Sequence, residues 1–294
     1  VAGKSIDLNR RAYLVAGAGG GGIGTAICAM LAEAGATVVA VDKTEIGREI
    51  AAKALSPFGD SHLVLDADLT DVAAVEDMLA EASSRAGAIR GVVNVVGGML
   101  PHHWTALTDP LAPEAFDDVM HFNLKPTLIA STAVARAIAA HGLGGSIVNV
   151  ASAAGLVSMA YGAGYGAAKA ALINLTRTMA VEWGRYRLRV NAVAPGTIRT
   201  QKIGRARFDS GESDEMRQRT RDVIPLGRRG EPDDVAGAVL YLLSDLADYV
   251  SGQTIAIDGG ALARAPYTDG DNLPVFVTDP ALRGRLTGAG YEES

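Results

Sequence analysis

The stretch Ala12–Gly35, AYLVAGAGGGGIGTAICAMLAEAG, sets an apolar run, a glycine cluster and an amphipathic helical segment one after another. The apolar run lacks the alternation of a half-exposed strand, so it suits a strand covered on both faces, as in a parallel sheet. Glycines let the backbone turn sharply and approach a ligand, while the following helix offers unpaired N–H groups and a positive dipole end. Strand, glycine turn and helix in this order fit the pyrophosphate of a dinucleotide. Gly17, Gly22, Ile23 and Gly24 are the expected contacts, with the phosphate-facing glycine left open among residues 17 to 22.

The second apolar run, TVVAVD, ends on Asp42, eighteen residues beyond Gly24. An acidic side chain there can accept hydrogen bonds from the adenosine ribose hydroxyls and repels a 2′-phosphate. Lys43 follows directly and could attract that phosphate. No basic residue interrupts the glycine turn, so NAD is expected, with NADP second.

Strand-like runs recur at Tyr13–Ala16, Thr37–Val41, His62–Leu65, Gly91–Val95, Ser146–Val150, Leu188–Val193 and Thr254–Ile257, separated by helical patterns. Alternating strands and helices imply right-handed crossovers, hence an α/β fold with a doubly wound parallel sheet of seven strands, the Rossmann arrangement. Residues 1–260 read as one domain. Residues 261–294 change character, rich in Pro, Gly and Asp, and read as a C-terminal extension. It could be a mobile tail, or its apolar patch Leu273–Val277 could dock over the active site or on a partner subunit.

Between Ser152 and Lys169, SAAGLVSMAYGAGYGAAK, a hydroxyl, a phenol and an ammonium recur at spacings that suit one reaction. Tyr165 and Lys169 are four apart in an Ala-rich helical run and share a face. A phenol titrates near pH 10 and is a poor base at neutral pH, so a nearby cation would bring Tyr165 toward useful acid–base chemistry. Ser152 would hold the alcohol oxygen. The Tyr-x-x-x-Lys pattern alone carries little specificity and needs support from the rest of the chain.

A formal charge of −6 and a pI near 5.4 argue against nucleic acid or an anionic membrane as partner. The single cysteine, Cys28, excludes a disulfide framework and reads as a small core residue. With no apolar run of signal-peptide or membrane-spanning length, a reducing, cytoplasmic setting is expected. The five histidines are scattered, and adjacent His102 and His103 lack the ligand spacing of a structural zinc site, so no metal is expected. HHW, residues 102–104, follows a strand end and could line a substrate pocket or be an ordinary surface loop.

Several further motifs stand in a telling order: DADLTD with Asp68 and Leu69, NVVG with Asn94, Val95 and Gly97, HFNLKP with Asn123, NAVAPGTIRT with Pro195, Gly196, Ile198 and Thr200, and DGG at 258–260. With the glycine turn and Ser152, Tyr165 and Lys169, they make the chain resemble the classical short-chain dehydrogenase/reductase family over roughly residues 8–260. Two departures stand out: the turn opens on Ala16 and is one residue longer than usual, and valines interrupt the usual NNAG.

The resemblance implies an NAD(P)-dependent oxidoreductase interconverting a secondary alcohol and a ketone. Tyr165 would be general acid or base, and Ser152 would polarise the substrate oxygen. Lys169 would hold the nicotinamide ribose and depress the tyrosine pKa, while Asn123 would hold a water. Asp68 and Leu69 would meet adenine; Asn94, Val95, Gly97, Pro195, Gly196, Ile198 and Thr200 would border the cofactor.

The long, charged stretch Gln201–Asp222 is read as a substrate lid or, equally, a solvated flexible surface, and a small apolar pocket using Met99, Leu100 and residues 153–161 favours a compact alcohol or ketone. The alternatives are a 3-oxoacyl-carrier-protein reductase and a non-catalytic nucleotide-binding regulator. Relatives commonly pair through the helices that carry Asn123 and Tyr165, which implies a homotetramer, with a dimer next.

Overall fold

β1 (Ala12–Ala16) is buried along its whole length, and its side chains part into two layers. Tyr13 and Val15 join one apolar cluster; Ala12, Leu14 and Ala16 join the other. That period-two division explains why the segment is apolar throughout: both faces are covered. In the computed structural model, which describes residues 6–200, 214–265, 268–269 and 272–287, β1 pairs in parallel with β2 (Thr37–Val41). The rest of the sheet comprises β3 (Leu63–Leu65), β4 (Ile89–Asn94), β5 (Gly145–Val150), β6 (Leu188–Pro195) and β7 (Thr254–Ile257). Its order is β3-β2-β1-β4-β5-β6-β7, with every pairing parallel. This is the expected doubly wound sheet, and winding reverses between β1 and β4, where such folds open a ligand crevice.

The described helices are α1 (Ile23–Glu33), α2 (Glu45–Leu55), α3 (Val72–Ala86), α4 (Ala112–His141), α5 (Ala163–Trp183), α6 (Asp214–Val223), α7 (Pro232–Leu243) and α8 (Pro280–Thr287). Ile27 and Leu31 of α1, Ala51 and Leu55 of α2, and Val235 and Val239 of α7 pack with Tyr13 and Val15. Val75 and Met78 of α3, Val134 and Ile138 of α4, and Met179 of α5 fill the opposite layer. Cys28 is fully buried on α1, and burial pushes its thiol up to about 12, as an inert core residue requires.

Strand ends differ from the sequence reading by small amounts with local causes. β4 stops at Asn94 because the amides of Val95 and Val96 both turn to the Ala16 carbonyl at the switch point. His62 stays outside β3, its ring Nδ1 accepting from the Val38 amide. In the extension, Asp269 gathers the chain: Arg283 bonds its carboxylate and Arg264 its carbonyl. Val275 and Phe276, in the apolar patch singled out above, are exposed. Among the described residues no helix is long and apolar enough to cross a membrane.

Candidate active site

The glycine turn leaves the start of α1 open. Its N-cap is Gly22, with no side-chain cap and no acidic residue in the first turn, whereas Thr44 caps α2 and Asp71 caps α3. Unclaimed N–H groups at a helix start are what a phosphate needs. Space around the turn is allotted glycine by glycine. A Cβ on Gly24 would stand 2.3 Å from the Gly17 carbonyl oxygen, and one on Gly17 (φ +87°) 2.8 Å from Val96. On Gly19 it would meet the Gly47 backbone at 2.2 Å, whereas on Gly20 it would meet nothing within 4 Å. The residues fit a dinucleotide's pyrophosphate, and Gly20 marks the open side of the cradle.

Asp42, at the end of β2, is fixed beside this turn. Its carboxylate accepts from the Gly19 amide at 3.1 Å and from the Thr44 amide and hydroxyl at 3.0 and 2.8 Å. Lys43 turns toward Asp68 at 3.8 Å, and Arg48 pairs with Asp66 at 3.1 Å. Asp68 also closes a tight turn on Thr70, whose amide and hydroxyl hold its carboxyl below the ordinary range. The Leu69 side chain is buried in the core.

Ser152, Tyr165 and Lys169 come together as their spacing requires. Ser152 follows β5, and its side chain accepts from the Ala154 amide at 3.2 Å, starting a short turn that leads toward α5. The Lys169 ammonium lies 5.7 Å from the centre of the Tyr165 ring. It is buried and donates to the Val150 carbonyl at 3.1 Å. Burial lowers its pKa to about 8.

The tyrosine departs from expectation. Burial raises its pKa, and only the Ser152 hydroxyl bonded to it pulls the value back. Lys169 is not among the groups that pull it back; its ammonium is itself desolvated and engaged by Val150.

Gly97 brings the glycine turn's neighbour to this centre. With φ +134°, it passes where a Cβ would stand 2.5 Å from Asn123 Oδ1 and 3.3 Å from Lys169 Nζ. The Asn123 amide clamps the next residue, accepting from the Gly98 amide at 2.7 Å and donating to its carbonyl at 3.0 Å and to that of Val119 at 3.0 Å. Its side chain is thus spent on the backbone, and any water it holds must take the main chain.

Asn94 is likewise committed: its amide donates to Ser131 at 2.9 Å and Asn149 at 2.8 Å, and Asn149 donates to Thr176 at 2.9 Å. This buried polar row ties α4 and α5 to the sheet, while the Asn94 Oδ1 is buried without a hydrogen-bond partner among the described residues. Val95 stays partly exposed at the crevice.

The loop after β6 closes the ring. The Gly196 amide donates to the Ile257 carbonyl at 2.9 Å, and a Cβ on Gly196 would press on Asp258 at 2.9 Å. Pro195 ends β6, and the Ile198 side chain is buried, bridging to Gly230. Thr200 reaches the glycine turn, with its methyl 3.0 Å from where a Gly22 Cβ would stand. Of the expected lid, residues 201–213 lie outside the described residues, and 214–222 belong to α6.

One arrangement had no signal in the sequence. His102 and His103 both reach Asp118 Oδ2 on α4, at 2.9 and 2.8 Å. These three side chains lie close enough to grip a cation. However, Nδ1 of the buried His103 accepts from the Leu100 amide at 3.0 Å, which puts its proton on Nε2, the atom facing Asp118. That nitrogen then has no lone pair for a metal. Asp118 lies fifteen or more residues from the histidines, so ligand spacing could not have found it.

A family described as Enoyl-(Acyl carrier protein) reductase matches residues 17–261. The 2-(S)-hydroxypropyl-CoM dehydrogenase 3 of Xanthobacter autotrophicus is 38% identical over 246 residues, covering 83% of this chain and 94% of its own. A short-chain type dehydrogenase/reductase from Mycobacterium marinum superposes with a TM-score of 0.75 at 32% identity, over 87% of this chain and 97% of its own. A 7α-hydroxysteroid dehydrogenase in complex with NADH and 7-oxo glycochenodeoxycholic acid does so at 0.76 and 30%, over 87% and 95%. Matches of this extent make the chain a member of the short-chain dehydrogenase/reductase family, an alcohol dehydrogenase or ketone reductase that uses a nicotinamide dinucleotide.

Proposed function

We propose that the chain interconverts a compact secondary alcohol and a ketone with NAD, using Asn123, Ser152, Tyr165 and Lys169. The observation that carries this reading is the convergence of the Ser152 hydroxyl and the Lys169 ammonium on Tyr165, beside Gly97 at the ends of β4 and β5. In oxidation the Tyr165 oxygen takes the alcohol proton; in reduction it returns one to the forming alkoxide. Ser152 donates to the substrate oxygen and steadies its developing charge. Lys169 is positioned by Val150 to meet ribose hydroxyls and carry the proton onward, and Asn123 holds the Gly97–Gly98 backbone beside it. The dinucleotide, when bound, supplies the hydride acceptor or donor.

NAD is favoured because Asp42 is fixed at the ribose end of the crevice while Lys43 and Arg48 each face a carboxylate. The exposed Leu128 of α4 and Val181 of α5 support these helices as a subunit surface, in a homotetramer. Residues 261–294 are read as an extension beyond the domain of residues 1–260. A panel of small secondary alcohols and ketones, followed at the nicotinamide absorbance band with each nucleotide, tests the reading. Turnover with NAD above NADP is expected, and no turnover on any member would overturn it.

A further inference from the structure

The loop from Gly97 to Trp104 leaves β4 and passes over α4, with Met99 and Leu100 directly after Gly98, the residue that Asn123 holds. Two grips hold it. The first is the Asn123 amide on the Gly98 backbone. The second lies about one turn earlier on α4, where Asp118 Oδ2 accepts from His103 Nε2 at 2.8 Å and from His102 Nε2 at 2.9 Å. His103 relays the second grip: its side chain is wholly buried, it packs 6.1 Å from the Phe122 ring, and its Nδ1 takes the Leu100 amide at 3.0 Å. The chain Asp118, His103, Leu100 therefore ends on the backbone two residues beyond Gly98, which Asn123 holds. Just beyond, the Thr105 amide donates to the Tyr161 carbonyl at 3.1 Å, joining this loop to the one that leads to Tyr165.

We infer that Asp118 is a positioning residue for the alcohol: by fixing the His103 tautomer and ring, it holds the Met99–Leu100 wall of the substrate site against α4. The inference rests on the tetrad reading above for where the substrate lies. An imidazole bonded at both nitrogens is locked in orientation, so a charge on an exposed carboxylate is turned into rigidity at a site wall. Neither histidine touches the reacting atoms in this role. Loosening the wall costs alcohol binding and leaves the dinucleotide side of the crevice, built from the glycine turn and the β6 loop, as it was.

The test compares Asp118→Ala, Asp118→Asn and His103→Phe by steady-state kinetics, nucleotide titration and thermal melting, on a secondary alcohol that the wild type oxidises. Asp118→Ala and His103→Phe should each raise the alcohol KM roughly ten-fold, the size of one lost charge-assisted hydrogen bond. Nucleotide affinity should stay unchanged and kcat within about three-fold of wild type. Asp118→Asn, whose amide oxygen still accepts, should restore most of the KM. A drop in melting temperature with KM unmoved would reduce the cluster to ordinary structure and overturn the inference, as would a parallel loss of nucleotide affinity. Treatment of the wild type with EDTA should leave KM unchanged; a rise matching Asp118→Ala would make a metal the holding element instead. If Asp118→Ala behaves as expected while Tyr165→Phe keeps full turnover, the tetrad reading fails and the wall reading stands.

Discussion

The ammonium of Lys169 donates to the carbonyl of Val150 at 3.1 Å, joining the first third of α5 to the last residue of β5. This bond sets the distance between the lysine and Ser152, two residues beyond Val150. It also holds a charge where water cannot reach it.

Lys169→Met should therefore have opposite effects on activity and stability. The folded-state pKa, at about 8, lies below the ordinary 10.5, so burial penalises the charged form. The penalty is present in full below pH 8. It fades as pH rises, until the unfolded chain also loses its proton. Removing the charge at neutral pH gains at most about 3 kcal/mol, less about 1 kcal/mol for the Val150 carbonyl left without its donor. Melting curves of the nucleotide-free protein should show Lys169→Met several degrees more stable at pH 7, with the difference shrinking toward pH 10. Turnover should fall at least about a hundred-fold.

The phenol of Tyr165 gives the second expectation. Burial raises its pKa and the Ser152 hydroxyl lowers it. The kcat/KM for alcohol oxidation, which reports the free enzyme, should climb with pH on the alkaline side of neutrality. Ser152→Ala removes the one bond that favours the phenolate, so the climb should move to higher pH as well as dropping in height. A profile that drops without moving would mean that Ser152 acts on the substrate alone.

Much of this molecule was legible in the sequence because its strands are apolar on both faces. TVVAV and TIAI offer no alternative period, and β2 and β7 begin and end where their composition says. Glycines were legible as a cluster but not one by one, since Gly19 is required by Gly47 of α2, a neighbour that no local pattern names. The proposed tetrad could be named from the sequence because its parts repeat a family order. Its electrostatics could not, because the Tyr165 and Lys169 values depend on burial and on the Val150 carbonyl. Asn94 was read as a cofactor neighbour; that its amide NH2 also ties Ser131 and Asn149 from two other elements had no local signal. Asp118 escaped altogether, because a surface carboxylate on a helix looks the same whether or not a histidine loop folds onto it.

Gly20 and Gly24 should separate the ligand's needs from the fold's. A methyl on Gly24 would drive into the Gly17 carbonyl, whereas one on Gly20 meets no protein atom within 4 Å. Gly20 also has no positive φ, so alanine suits its backbone. Gly20→Ala should keep the wild-type melting temperature yet weaken nucleotide binding on the order of ten-fold, because on the proposed reading the open space takes the pyrophosphate. Gly24→Ala should lower the melting temperature. Unchanged nucleotide affinity in Gly20→Ala would move the phosphate to another part of the turn.

On the NAD reading proposed above, Asp42 discriminates between the two dinucleotides, and the surrounding charges say how far a single change can go. Its carboxylate holds the Gly19 amide, so it both shapes the turn and supplies negative charge where a 2′-phosphate would lie. Lys43 and Arg48, close to Asp42 in the chain, are drawn to Asp68 and Asp66 at 3.8 and 3.1 Å. Asp42→Asn keeps an acceptor for Gly19 and removes the charge. It should lower kcat/KM with NAD by roughly ten-fold, about the 1.4 kcal/mol of a lost charged hydrogen bond, while improving the value with NADP. Adding Asp68→Asn frees Lys43 and should improve NADP use further without moving the NAD value again. If the double variant gains nothing over Asp42→Asn, Lys43 does not face the ribose, and the preference rests on Asp42 alone.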